Sequence, residues 1–298
     1  MNTHWYTYTD YRVQHTVVGD LRAADAVYSP QLHNRRRLFV HLPPSYAAEP
    51  ERRYPVIYMQ DGQNLFDQTL SYAGEWQVDE TMLALSGEGL EAIVVGIPNM
   101  GTRRVDEYSP FKDARLRRGG RGDWYVAFMA NTVKPLIDAD FRTLPAREHT
   151  GVLGSSMGGL ISLYAFFARP DVFGFAGVMS PSLWFAQEAI TSYIQAAPYK
   201  PGRIYLDIGT HEAGEPRLAQ RPPHKYTSRY LQSARRLTEI LAAKGYLPGT
   251  QLRYDEEEEA AHNEAAWARR LPGALRFLLA PERQPALASG TTEQWWEF

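Results

Sequence analysis

Residues 151–160 read Gly-Val-Leu-Gly-Ser-Ser-Met-Gly-Gly-Leu. The apolar beginning of this stretch predicts a buried strand, and a Gly-x-Ser-x-Gly pattern follows it at residues 154–158. Apolar residues then continue at helical spacing: Leu160, Leu163, Tyr164 and Phe167. Glycines on both sides of Ser156 let a strand turn sharply into a helix, so we expect this side chain to stand exposed at the strand end. Ser155 is the weaker candidate, because its own neighbours do not fit the pattern.

Short apolar runs alternate with helix-length segments along the rest of the chain. This alternation is typical of βαβ units, in which parallel strands are buried on both faces. The predicted strands are Leu38–Leu42, Pro55–Met59, Ala92–Ile97, Gly151–Leu153, Phe175–Met179, Ile204–Ile208 and Leu252–Tyr254. We therefore predict an α/β fold with a mostly parallel central sheet and helices on both faces. One domain spans residues 1–298, with a core at about 35–280 on which N-terminal strands and a C-terminal tail pack.

Three longer helices are predicted from apolar spacing. The first begins at Asp123 as its N-cap, and Pro135 is expected to bend its last turn. The second covers residues 228–244. The third covers residues 264–279, with a kink at Pro272.

The composition excludes several kinds of partner and chemistry. Lys and Arg number 32 against 34 Asp and Glu, so no strong positive field favours nucleic acid or an anionic membrane. The chain has no cysteine, which excludes disulfides, thiolate nucleophiles and cysteine-bound zinc. Residues 1–20 lack the pattern of a signal peptide, and no apolar stretch reaches the roughly 18 residues of a membrane span. We predict a cytoplasmic protein.

A serine hydroxyl is a weak nucleophile, so Ser156 needs a positioned base, and histidine is the natural partner. In sheets with this kind of nucleophile the chain order is nucleophile, acid, base, and the base follows the last strand. That order excludes His4, His15, His33, His41, His149, His211 and His224. His262 follows the last predicted strand and precedes the last helix. We therefore predict His262 as the base.

The acid is expected just beyond the strand Ile204–Ile208, where catalytic residues of open α/β sheets collect. Glu212 is our choice, since Gly209-Thr210-His211-Glu212 places it in the loop after the strand. Asp207 lies within the strand and is the alternative; otherwise it is expected to bond backbone at the strand end. Glu215 fits a solvated loop.

Two backbone N–H groups are predicted to bind the oxyanion that forms during acyl transfer. The first belongs to Met157, directly after the nucleophile. The second is expected in the loop after the strand Pro55–Met59, where we choose Gln63, with Gly62 shaping the turn. A plain Asp-Gly turn without this task is the alternative.

Four segments together resemble the putative esterase family, which includes enterochelin esterases, S-formylglutathione hydrolases, feruloyl esterase domains and mycolyl transferases. They are Tyr54–Asn64, Arg104–Pro110, Gly154–Leu160 and Ala261–Glu264. The similarity is greatest to the enterochelin esterase-like branch. The resemblance implies an α/β-hydrolase fold, ester hydrolysis without a cofactor, and a triad of Ser156, Glu212 and His262.

Aromatic rings and one arginine are candidates for substrate binding. Rings on the catalytic side could enclose an acyl or aryl group, although each could equally pack in the core: Trp76, Tyr108, Trp184 and Phe185. Arg104 is expected to pair with Glu107, with binding of a substrate anion as the alternative. The aromatic tail is expected to dock on its own chain rather than on a second subunit: Trp295, Trp296 and Phe298.

These residues predict hydrolysis of a carboxylic ester through an acyl-enzyme on Ser156. Aryl, acyl-sugar and siderophore-type esters are the candidate substrates. Transfer of the acyl group to an alcohol and a catalytically silent binding protein are the alternatives. A metal site of His211, Glu212 and His262 is disfavoured because no metal-ligand spacing such as H-E-x-x-H occurs. We expect no metal, no cofactor and no nucleic-acid partner, and the oligomeric state stays open.

Overall fold

The computed structural model describes residues 3–8, 14–212 and 224–281. Within these residues one large sheet contains β1 (Tyr6–Thr7), β2 (Asp20–Ser29), β3 (Asn34–Leu42), β4 (Val56–Gln60), β5 (Ile93–Ile97), β8 (Thr150–Ser155), β9 (Phe175–Met179), β10 (Arg203–His211) and β11 (Leu252–Ala261). A small hairpin is formed by β6 (Lys112–Asp113) and β7 (Arg118–Gly119). The helices are α1 (Val78–Ser86), α2 (Arg104–Glu107), α3 (Gly122–Phe128), α4 (Lys134–Asp140), α5 (Met157–Ala168), α6 (Ala189–Ala196), α7 (His224–Ala243) and α8 (Glu264–Leu279).

The strand order of the large sheet is β1-β2-β3-β5-β4-β8-β9-β10-β11. Pairing is antiparallel from β1 to β5 and parallel from β5 through to β11. The predicted mostly parallel sheet of an α/β fold is confirmed. Chain order reverses at β4, since β5 lies on one side of it and β8 on the other. In open α/β sheets such a switch point opens a crevice at the carboxyl ends of the strands.

The central strands are buried on both faces, which explains their continuous apolar sequences. In β4, Val56 and Tyr58 belong to one core cluster and Ile57 and Met59 to the other. Helix α5 packs into the first cluster, and helices α1 and α8 pack into the second. The sheet therefore separates two cores and is covered by helices from both sides.

The last strand is longer than predicted. It continues from Leu252 to Ala261 and includes the acidic residues 256–259. Because β11 is the edge of the sheet, charged side chains can point to solvent without interrupting it. Two of these carboxylates are paired, Glu256 with Arg235 at 2.7 Å and Glu257 with Arg269 at 3.0 Å.

The helix predicted at Asp123 also differs. Asp123 lies inside the first turn of α3, and its carboxylate accepts a hydrogen bond from the Tyr164 hydroxyl instead of capping the helix. A wider π-helical turn at Met129–Val133 joins α3 to α4, and Pro135 lies in the first turn of α4. Proline lacks an N–H and clashes with the carbonyl four residues earlier, so the chain widens before it.

The other helices agree better with their predictions. Helix α8 has the predicted bounds and contains Pro272, and α7 begins four residues before the predicted start. Glu215 and the aromatic tail from Trp295 to Phe298 lie outside the described residues. Their assignments stay predictions.

Candidate active site

Four polar side chains lie at the carboxyl ends of four neighbouring parallel strands. Ser156 follows β8, Ser180 follows β9, Glu212 follows β10 and His262 follows β11. Neighbouring strands are about 4.8 Å apart, so the order of the strands sets the order of these groups along one edge of the sheet. The loops after β10 and β11 can then bring their side chains back toward the centre.

Ser156 occupies a strained turn between β8 and α5. Its φ and ψ are 59° and −123°, which is an unfavourable conformation for a residue with a side chain. The backbone is held there because the Ser156 N–H donates to the Met179 carbonyl at 3.0 Å. The turn leaves the side chain partly exposed, as predicted for a nucleophile on a sharp strand-to-helix bend.

The flanking glycines permit close packing of this turn against the end of β4. A Cβ atom at position 154 would lie 2.7 Å from the Gln60 Cγ, and one at position 158 would lie 3.1 Å from the Gln60 Cβ. The first distance is too short for any real side chain. Gly154 is therefore required by packing, and Gly158 keeps the first turn of α5 next to the β4 loop.

The Ser156 hydroxyl is 3.1 Å from the Ser182 hydroxyl. Among the described residues no hydrogen bond joins Ser156 Oγ to His262, so the predicted contact of nucleophile and base stays a prediction. Such bonds often tighten only when substrate binds. Sequence reasoning missed Ser182, whose signal is the Ser-Pro-Ser sequence directly after β9.

Glu212 and His262 form the centre of the site. The His262 Nδ1 atom is hydrogen bonded to the Glu212 Oε2 atom. The other carboxylate oxygen, Oε1, accepts hydrogen bonds from the Ser180 hydroxyl and the Gly209 N–H, both at 2.6 Å. Burial by itself raises the pKa of Glu212, but the hydrogen bond and charge of His262, with these two donors, bring it below the ordinary value.

The ionised carboxylate determines the tautomer of the imidazole. A carboxylate without a proton can only accept hydrogen bonds, so His262 Nδ1 must carry the hydrogen. The Nε2 atom is then left as an acceptor of a proton. This is the state that a general base requires.

Asp207, the alternative acid, has other partners. It is completely buried. Its Oδ1 accepts the Ser180 N–H at 3.0 Å, and its Oδ2 accepts the Arg270 Nε–H at 3.0 Å. Burial raises the pKa of Asp207 to about 7, although the Arg270 charge opposes this. The contacts favour Glu212 as the partner of His262.

The two predicted oxyanion donors lie in the first turn of a helix and in a short 3₁₀ turn. Met157 is the first residue of α5, and Gln63 lies in a one-turn 3₁₀ helix, Gly62–Asn64, after β4. In the part of the chain that the structure describes, neither N–H has a hydrogen-bond acceptor. A Cβ at Gly62 would lie 2.5 Å from the Gly96 carbonyl carbon, so glycine is needed where this turn touches β5.

Tyr108 and Arg104 hold this turn, and the structure corrects both expectations. Tyr108 is 0% exposed, so its ring cannot enclose a substrate, and its hydroxyl accepts the Asp61 N–H at 3.0 Å. The Arg104 guanidinium binds both oxygens of Asp61 at 2.7 Å and lies over the Tyr108 ring. The predicted pair of Arg104 with Glu107 is wrong.

Glu107 faces away from Arg104. It pairs with Arg36 of β3 at 3.0 Å, and both side chains are buried. The short helix α2 turns the two residues to different neighbours, so sequence spacing alone suggested the wrong partner. Arg104 therefore braces the loop that carries Gln63, and contact with a substrate anion stays a prediction.

The aromatic candidates separate by burial. Trp76 is 3% exposed and packs on Trp267, whose ring lies 5.0 Å from the His262 ring. Phe185 is also buried. Trp76 thus packs behind Trp267, which contacts His262, and does not face solvent. Trp184, by contrast, is 42% exposed and lies two residues beyond Ser182. Of these candidates, Trp184 alone stays open to a substrate.

No signal in the sequence pointed to another exposed ring, that of Tyr72. Tyr72 is 94% exposed. Its N–H donates to Asn64 Oδ1 at 3.1 Å, and the Asn64 amide donates to Glu264 at 3.3 Å, two residues after His262. Tyr72 therefore stands on a loop tied to the segment that carries the base.

Carboxylate and histidine atoms close enough together to hold a metal ion occur at one place in the described ranges. They belong to Glu75, Asp79 and Glu80, and none of these is in the predicted triad. His211, Glu212 and His262 do not form such a group there. Over the same residues, no helix combines the length and the apolar character that crossing a bilayer requires.

A family model described as "Putative esterase" matches residues 29–278. The chain belongs to this family. Membership makes it an ester-hydrolysing enzyme and agrees with the resemblance seen in the four sequence segments. The match includes Ser156, Glu212 and His262.

Individual relatives in the putative esterase family extend the comparison. The uncharacterized protein YbbA of Bacillus subtilis is 30% identical over 254 residues, which cover 83% of this chain and 94% of that protein. The siderophore triacetylfusarinine C esterase of Aspergillus fumigatus is 33% identical over 138 residues, 44% of this chain and 45% of that enzyme. The solved structure of the siderophore hydrolase EstA from Aspergillus nidulans superposes with a TM-score of 0.67 at 21% identity, covering 93% of this chain and 98% of that one. This likeness shows the α/β-hydrolase type of fold.

Proposed function

We propose that this protein is a serine esterase that cleaves carboxylic esters through an acyl-enzyme on Ser156. The observation that carries the proposal is the hydrogen-bonded pair of Glu212 and His262 at the same sheet edge as the strained Ser156 turn. A nucleophile, a base and an orienting acid at the carboxyl ends of three strands of one parallel sheet, β8, β11 and β10, are the parts that acyl transfer needs. Family membership supports the reaction class.

The chemistry follows from the tautomer of the base. His262 Nε2 takes the Ser156 proton as Oγ attacks the ester carbonyl, after the hydroxyl turns away from Ser182. The oxyanion is bound by the N–H groups of Met157 and Gln63. His262 then gives its proton to the leaving alcohol, and a water activated by the same nitrogen releases the acid.

The proposed substrates are siderophore-type esters. Two curated relatives are named as siderophore esterases, one for triacetylfusarinine C and one for enterobactin. Exposed rings at Trp184 and Tyr72 would suit an aryl or bulky acyl group. The proposed partner is thus a small-molecule ester. The proposed location of the protein is the cytoplasm, and cell fractionation tests it.

The test compares two neighbouring serines. Ser156→Ala should abolish hydrolysis of p-nitrophenyl butyrate and labelling by a fluorophosphonate probe. Ser155→Ala is the matched control, since Ser155 is buried at the end of β8, and it should keep both. Turnover by Ser156→Ala, with native circular dichroism, would refute the assignment.

A substrate panel separates the proposed ester classes. Acetyl, butyryl, feruloyl and siderophore esters would be compared by kcat/KM with the wild-type chain. We expect the siderophore ester to have the highest kcat/KM. Trp184→Ala should lower kcat/KM for the siderophore ester more than for the acetyl ester. Equal values across the panel would contradict a siderophore preference while leaving the esterase assignment in place.

A further inference from the structure

Ser180 has an unusual backbone for a serine. It follows β9 with a φ of +40°, in the region that favours glycine. Its N–H donates to both the carbonyl oxygen and the Oδ1 atom of Asp207, each at 3.0 Å. Such strain persists only where surrounding contacts hold it. A glycine would relieve the strain but would remove the hydroxyl.

Two donors converge on that hydroxyl. Trp267 Nε1–H donates to Ser180 Oγ at 3.0 Å, and Arg270 Nη2–H donates to it at 2.7 Å. An indole N–H and a guanidinium cannot accept hydrogen bonds. Both lone pairs of the hydroxyl are therefore occupied, and its hydrogen has one remaining acceptor, the Glu212 Oε1 atom at 2.6 Å.

We propose that Ser180 is a positioning residue of the esterase: Trp267 and Arg270 fix its hydroxyl so that it donates to Glu212 and keeps the other carboxylate oxygen on His262 Nδ1. This inference rests on the proposed function. It assigns Ser180 no contact with substrate. Each hydrogen bond in the network from Trp267 and Arg270 through Ser180 and Glu212 to His262 then has one fixed donor and one fixed acceptor.

Charged groups surround this hydrogen-bond network. Within the described residues, Glu212 faces His262, and Asp207 and Arg270 lie behind Ser180, with Glu257 on the outer side of Arg270 at 3.1 Å. On His262 itself, the Tyr230 ring lies 6.1 Å from the imidazole and the Glu264 carboxylate interacts with the imidazole charge. Without the Ser180 donor, the Glu212 charge is less stabilised, so a proton binds more readily to the Glu212–His262 pair. The acid limb of kcat/KM should therefore move to higher pH.

The central experiment uses three variants and p-nitrophenyl butyrate. Ser180→Ala and Ser180→Gly should lower kcat by about 10- to 100-fold, with KM within about threefold, and move the acid limb up by about half a pH unit or more. Ser162→Ala is the control, because Ser162 is completely buried on α5 and its hydroxyl has no hydrogen-bond partner. It should match wild type. The glycine variant should be at least as thermally stable as the alanine variant.

A second arm tests whether Trp267 acts through Ser180. Trp267→Phe keeps a ring beside Trp76 and His262 but removes the N–H. It should lower kcat in the wild-type background and have little further effect in Ser180→Ala, because the shared bond is already absent. If Trp267→Phe lowers kcat equally in both backgrounds, Trp267 does not act through Ser180 and the proposed hydrogen-bond network is wrong.

The esterase activity of Ser156 and the positioning role of Ser180 can be refuted separately. If Ser156 is labelled and required but both Ser180 variants keep wild-type kcat and acid limb, the positioning inference is wrong and the esterase stands. If Ser156→Ala keeps activity, the proposed function is wrong, whatever the Ser180 variants do. A kcat loss without a shift of the acid limb would also overturn the inference, since a packing defect alone explains it.

Discussion

Replacing Glu212 by glutamine tests the triad at its most constrained point. Three donors meet the wild-type carboxylate: the Ser180 hydroxyl and the Gly209 N–H on Oε1, and His262 Nδ1–H on Oε2. A glutamine amide has nearly the same shape but only one acceptor oxygen. Because both oxygen positions of Glu212 are met by donors, the NH₂ group of the glutamine would face a donor in either orientation. The change is therefore small in volume and large in hydrogen bonding.

Two orientations of the substituted amide are available. With its oxygen toward Ser180 and Gly209, the NH₂ points at His262 and forces the imidazole proton onto Nε2, which then cannot accept the Ser156 proton. A wrong tautomer of this kind lowers kcat by about 10,000-fold, or about 5.5 kcal/mol. With the oxygen toward His262, the NH₂ faces two buried donors, which costs about 1–3 kcal/mol. We expect the first orientation and the larger loss of activity.

The assay is kcat on p-nitrophenyl butyrate for Glu212→Gln, with Asp207→Asn as the matched control. Asp207 is also buried beside Ser180 but bonds Arg270 instead of His262, so its variant should lose stability more than kcat. A proton NMR spectrum adds a direct reading, because the downfield resonance of His262 Nδ1–H should disappear in Glu212→Gln. Glu212→Gln with kcat within about tenfold of wild type, or a greater loss in Asp207→Asn, would refute the reasoning.

Three other substitutions test supporting contacts. Tyr108→Phe leaves the Asp61 N–H without its acceptor and should lower kcat about fivefold in steady-state assays; an unchanged kcat would contradict the bracing role. Glu107→Gln leaves the buried Arg36 charge without its partner charge, so urea titration should show about 3–5 kcal/mol lower free energy of unfolding, and a change below about 1 kcal/mol would count against the pair. Burial, and next the Glu80 carboxyl, raises the pKa of Asp79 to about 8. The folded state therefore binds the proton more tightly than the unfolded chain, and stability falls as pH rises from about 4 to about 8. In thermal melts, Asp79→Asn should reduce the loss of stability between about pH 4 and about pH 8. A variant with the same pH dependence as wild type would contradict the role of Asp79.

Local sequence determined the parts of this protein that depend on near neighbours. Parallel strands covered on both faces need continuous apolar runs, so the strands around Ala92–Ile97 and Gly151–Leu153 could be predicted. The Gly-x-Ser-x-Gly turn placed Ser156, and chain order left His262 between the last strand and α8. The extent of β11 could not be predicted, because its acidic residues belong to an edge that only the assembled sheet defines.

Tertiary structure alone decided the partners of the polar and aromatic side chains. Arg104 bonds Asp61, 43 residues earlier in the chain, and Ser180 Oγ receives donors 87 and 90 residues later. Spacing along the chain says on which face of an element a side chain lies but not which distant element packs against that face. For this reason Tyr108 and Trp76, expected beside the substrate, are buried supports, and only the fold shows that Ser180 contacts Glu212 and that Ser182 contacts Ser156.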